Sequence, residues 1–96
     1  MASIAHDTQW LDATDQARLI QEGEVTPLEL LNATLERADR LNPVINALTY
    51  RWDDDARKVA ASLPNDNSMP FRGVPFILKD INATLKDQPI SNGNIA

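Results

Sequence analysis

The chain has 96 residues, 43% apolar and 24% charged, with a formal net charge of −5. That composition suits one small globular domain, and the acidic balance argues against a nucleic-acid surface, which needs a basic face. With no cysteine and a single histidine, His6, the sequence offers neither disulfides nor a thiolate or zinc-type metal site. No apolar run approaches the ~20 residues of a membrane span, and residues 1–7 lack the basic and apolar parts of a signal peptide. The expectation is a cytoplasmic protein with no membrane, nucleic-acid, metal or cofactor partner.

Residues 1–11 read as a loosely held N-terminal arm, with Trp10 and Leu11 as the apolar pair expected to pin it. Asp12 is a good N-cap and Asp15 places negative charge in a first helical turn. Ala13, Ala17 and Ile20 recur at helical spacing, and Gly23 stands where a left-handed cap belongs, so a first helix is expected over about 13–22.

Thr26-Pro27-Leu28-Glu29 is the clearest helix start, with a capping threonine, proline at the first helical position and glutamate completing a capping box. Leu28, Leu31, Leu35, Ala38 and Leu41 share one face, read as core-facing, with a partner-helix groove as the alternative. Pro43 disfavours helical geometry at Asn42, which puts the expected end near Leu41. A third helix follows. Asp53-Asp54-Asp55 loads its start with charge the helix dipole prefers, Ala56, Val59, Ala60 and Leu63 form its stripe, and Pro64 ends it. The three carboxylates lack the alternating ligands, turning glycine and distal glutamate of a calcium loop. Residues 64–70 form a polar, turn-rich connection.

Everything leads to Gly73-Val74-Pro75-Phe76-Ile77-Leu78-Lys79-Asp80. Three large apolar residues without alternation read as a strand covered on both faces. One such strand cannot satisfy its backbone alone, so its neighbours are expected elsewhere, and the fold class expected is α/β. Lys79 has two readings. Its stem packs along apolar surface with the ammonium reaching water or a carboxylate, or it is a site residue at the carboxyl end of a buried strand, with burial lowering its pKa.

The block Gly73-Val74-Pro75-x-x-x-Lys79-Asp80, followed by Pro89 and Gly93, resembles the first signature block of the amidase signature family of serine hydrolases. The lead-in resembles that family too: a short helix, Gly23-Glu24-Val25-Thr26, a long helix ending in Leu41-Asn42-Pro43, and Ile45-Asn46-Ala47. The resemblance runs over about 10–93. It implies an α/β fold with N-terminal helices and the first central strand of a mixed sheet flanked by helices, incomplete here. Residues 1–11 are then an arm, and residues 12–96 the front of a single amidase domain.

The resemblance further implies hydrolysis of non-peptide carboxamide bonds by a Ser-Ser-Lys triad, with Lys79 at the position of the catalytic lysine. Asp80, Gly73, Pro75 and Gly93 match structural or orienting positions near the site, and no cofactor is implied. Gln88 stands where many relatives have glycine, Asn94 where many have serine, and Ile81 where many tRNA-linked amidotransferase subunits have asparagine. These departures bear on subfamily and substrate.

Ser3, Ser62, Ser68 and Ser91 lack a glycine-rich elbow or a paired serine, so the chain is expected to stop before the nucleophile and to be inactive alone. The partners implied are a small-molecule amide and the remainder of the domain or a companion chain, with a homodimer as a candidate assembly. Two alternatives stay open: a non-catalytic helical interaction module, and a segment of the amidase subunit of a tRNA-dependent amidotransferase.

Overall fold

A computed structural model describes residues 7–66 and 68–78. Three helices occupy the described residues: α1 (Ala13–Gln21), α2 (Pro27–Ile45) and α3 (Asp53–Ser62). α1 starts on Asp12, whose carboxylate accepts from the Asp15 N–H at 2.9 Å. Its end is closed by Gly23 at φ +76°, after the Glu22 N–H has bonded to the Arg18 carbonyl at 2.9 Å. Gly23 is the left-handed closing residue the sequence implies, since glycine adopts that backbone without a Cβ penalty.

α2 begins with the complete capping box. Thr26 Oγ1 accepts from the Glu29 N–H at 3.1 Å, and Glu29 Oε1 accepts from the Thr26 N–H at 2.9 Å. Its buried residues are Leu30 and Ala33, which join Ala17 and Ile20 of α1 as the apolar core among the described residues. The leucine stripe therefore needs correction. Leu28, Leu31, Leu35 and Ala38 are half-buried and Leu41 is exposed. α3 packs on α2 as well, and the links between them run through Asn32 and Asp39 rather than through these leucines.

The end of α2 also differs from expectation, because the helix continues through Pro43 to Ile45. A proline removes one i→i−4 bond, which costs least in a last turn. Two asparagines offset that loss. Asn46 adopts a left-handed conformation at φ 51°, and its N–H bonds to the Asn42 carbonyl at 2.6 Å. The Asn42 side chain accepts from the Leu48 N–H at 2.8 Å and donates to the Leu48 carbonyl at 3.4 Å, fixing the chain as it leaves the helix.

α3 opens on Trp52 without a side-chain cap, and the three aspartates of its first turn supply the negative charge instead. Arg51 joins it to α2, contacting Asp39 at 2.9 Å and Asp53 at 2.7 Å. Those two carboxylates, Asp53 first, raise the Arg51 pKa. Arg57 Nε adds a second link, donating to Asn32 at 3.0 Å. The expected stripe of α3 stays shallow, with Val59 exposed and no residue of the helix fully buried.

Trp10 does not pin the N-terminal arm: it is 89% exposed. Thr8 does that work. It is buried, its hydroxyl accepts from Arg37 Nη1 at 3.2 Å, and its carbonyl accepts from Gln16 Nε2 at 3.4 Å. Burial, with Arg40 nearby, pushes the Arg37 guanidinium below its ordinary value.

No strand occurs among the described residues, which are helical and looped. Residues 74–78 make no ladder with another described segment, and Phe76 and Ile77 are 83% and 68% exposed. A doubly covered strand needs neighbours on both edges and both faces. The described residues are helices and turns, and they supply none of these.

Candidate active site

The signature block is delivered by a loop built from successive turns. The Ser68 N–H and hydroxyl both donate to Asp66 Oδ1, at 3.0 and 2.6 Å. The hydroxyl bond is the larger cause of an Asp66 pKa held below the ordinary aspartate range. The Met69, Arg72 and Val74 N–H groups then bond to the carbonyls of Asp66, Met69 and Phe71, at 3.3, 3.4 and 3.2 Å. Arg72 Nη2 donates to Asn65 at 3.2 Å, tying the two sides of the loop. Arg72 Nε is buried with no partner among the described residues.

Gly73 closes this loop at φ +82°, the left-handed region that favours glycine. It is also packed from outside. A Cβ at Gly73 would lie 2.7 Å from Pro27 Cγ, 2.8 Å from Pro27 Cβ and 3.1 Å from Ile20 Cδ1. The backbone of the block therefore rests directly on the first residue of α2 and on the last turn of α1. Both demands, conformation and closeness, require the absence of a side chain.

Of the sequence-predicted site residues, Gly73 and Pro75 are described, each half-buried. Lys79, Asp80 and Gly93 lie outside the described residues. The contact of Gly73 with Pro27 and Ile20 was not legible from the sequence. Pro27 and Gly73 each signal local geometry, and nothing in their spacing says that they meet. Arg72 was missed as well, and an arginine before a glycine carries no signal of burial.

The hydroxyl–carboxylate contact of Ser68 with Asp66 belongs to an exposed turn, and no group of three or more His, Asp or Glu among the described residues could hold a metal ion. A shallow polar depression is lined by Arg51, Trp52, Asp53, Asp54, Asp55 and Arg57. Its arginines are engaged by Asp39, Asp53, Asp54 and Asn32, so it is a site of ion pairing rather than of chemistry. No described helix is long and apolar enough to cross a membrane.

Comparison with known proteins agrees with the block. The Amidase family profile matches residues 29–96. Over 72 residues the chain is 42% identical to 6-aminohexanoate-cyclic-dimer hydrolase of Pseudomonas sp. (strain NK87), covering 75% of this chain and 14% of that protein. It is 37% identical over 86 residues to the putative amidase AmiC of Mycobacterium tuberculosis (strain ATCC 25618 / H37Rv), covering 90% and 18%. It is 33% identical over 79 residues to an acylamidase of Rhodococcus erythropolis, covering 77% and 17%. No solved structure matches. The chain belongs to the amidase family. It spans between 14% and 18% of the length of these relatives.

Proposed function

We propose that this chain is the N-terminal, base-bearing segment of an amidase that hydrolyses carboxamide bonds in small molecules through a Ser-Ser-Lys triad. The observation that carries the reading is the block from Gly73 to Asp80. It lies within the family match, and its first glycine is seated against α1 and α2. In this reading residues 74–78 become a central strand of a mixed sheet when the rest of the domain covers them. Lys79 is the base and Asp80 orients it.

The chemistry follows from what each group lacks. A serine hydroxyl is a weak nucleophile until a base takes its proton, and a lysine can act as that base only where burial keeps it neutral for part of the cycle. Here the lysine passes its proton to and from a bridging serine, which activates the nucleophilic serine. Gly73, Pro75 and Gly93 shape the backbone around these groups. In this reading the base acts together with a nucleophile and an oxyanion hole, the parts that supply most of the rate.

The experiment is Lys79→Ala in the amidase that carries this segment. The relative named for the cyclic dimer of 6-aminohexanoate makes that compound the first substrate to try, beside simple aliphatic amides. The expected result is a kcat/KM lower by about 10²–10⁴, the usual contribution of a positioned base. Turnover equal to the unsubstituted enzyme removes Lys79 from the chemistry.

A further inference from the structure

We infer that Pro27 and Ile20 are positioning residues for the proposed base, forming a seat that holds the Gly73 backbone and so sets where the segment leading to Lys79 begins. The inference rests on the reading of Lys79 as base and adds to it the parts of the helical layer that serve it.

Three observations carry it. The Gly73 Cα side is closed by Pro27 Cγ and Cβ and by Ile20 Cδ1, all within 3.1 Å of where a Cβ would stand. The seat itself is fixed. Ile20 is 4% exposed in the core, and Pro27 is the first residue of a helix whose capping box is complete. Finally, the Val74 N–H bonds to the Phe71 carbonyl at 3.2 Å, so the turn at Gly73 is closed on its loop side as well. A backbone pressed between a closed turn and a rigid helix end can shift little. A small displacement of a reacting group costs rate before it costs substrate binding.

The molecule holds its own control. Gly23 also has a positive φ, +76°, but a Cβ there would meet nothing within 4 Å. Alanine at either glycine carries the same backbone penalty, and only at Gly73 does it strike the seat.

The test compares Gly73→Ala, Gly23→Ala, Pro27→Gly and the pair Gly73→Ala with Pro27→Gly in the amidase that carries this segment, with Lys79→Ala alongside. Gly73→Ala is expected to lower kcat by about 10- to 100-fold while KM stays within about twofold. Gly23→Ala should leave kcat within about twofold. The pair should recover most of the loss relative to Pro27→Gly alone, because the atoms the new Cβ would strike on Pro27 are gone. Where Gly73→Ala fails to fold, Pro27→Ala trims the ring from the seat and keeps the helix start. A kcat lower by about threefold or more at unchanged KM supports the seat, and an unchanged kcat overturns it. Equal kcat in the two glycine variants, with Lys79→Ala inactive, overturns the seat and leaves the base standing. An active Lys79→Ala overturns the base reading itself.

Discussion

Leu30 has no exposed surface, and Ala17, Ile20 and Ala33 around it are each no more than 5% exposed. With so few buried side chains among the described residues, each contributes a large share of the stability. Leu30→Ala is expected to cost about 2–5 kcal/mol, the usual range for emptying a leucine site, read as a lower urea midpoint in the amidase that carries this segment. Thr26→Ala removes one bond of the capping box and should cost about 1 kcal/mol in the same measurement. Asp66 gives a pH-dependent counterpart. Its folded carboxyl binds a proton less readily than the ordinary aspartate value of 3.8, chiefly through the Ser68 hydroxyl and then the Ser68 N–H. The unfolded chain therefore binds more protons in that range, and stability rises with pH there. The contribution is present above pH 3.8 and is lost as pH falls through the lower folded value. Ser68→Ala should flatten the acid limb of a stability-against-pH curve, and an unchanged limb would show that the Ser68 hydroxyl contributes nothing there.

At the scale of elements, the sequence was most legible where one residue type answers one backbone need. Asp12, Gly23, Thr26, Pro27 and Glu29 mark ends of α1 and α2 that the structure reproduces. Legibility failed where the answer depends on a distant partner. Pro43 looked like a terminator because its own chemistry opposes a helix, yet Asn42 gripping Leu48 and Asn46 closing the turn carry α2 on to Ile45. Burial of Leu30 and Ala33 in place of the expected leucines has the same origin, since it depends on what packs against α2 and not on the stripe itself. The block at Gly73 is readable as a motif, but its seat on Pro27 and Ile20 joins residues far apart in sequence, and no local signal marks their meeting. Asn46 offers a test of the extended end. Asn46→Ala must place a Cβ residue without asparagine's tolerance of left-handed backbone at φ 51°, and should cost about 1 kcal/mol. Asn46→Gly should match or exceed the original stability in thermal unfolding. If alanine proves as stable as glycine, Asn46 is not the residue that closes α2.

For the molecule as a whole, the balance of covered and uncovered apolar surface decides how the chain behaves alone. Among the described residues Trp10, Val44, Ile45, Val59, Phe71, Phe76 and Ile77 are all more than half exposed, against four buried apolar residues. Exposed aromatic and β-branched side chains in one extended segment are an association hazard, most of all where the backbone beside them is unpaired. Phe76 and Ile77 are exposed neighbours in a segment that makes no ladder with any other described residues. The purified 96-residue chain should therefore self-associate with rising concentration in sedimentation velocity and bind a hydrophobic dye. Replacing both Phe76 and Ile77 by lysine should suppress the association and leave helix content by circular dichroism unchanged, because neither side chain lies in the core of α1 and α2. The same experiment separates the two broad readings of the chain. Association relieved at Phe76 and Ile77 supports a segment whose signature block is covered by further amidase structure. A monomer that unfolds cooperatively, indifferent to those two substitutions, would instead make the helices an independent module, and the role proposed for the block would have to be abandoned.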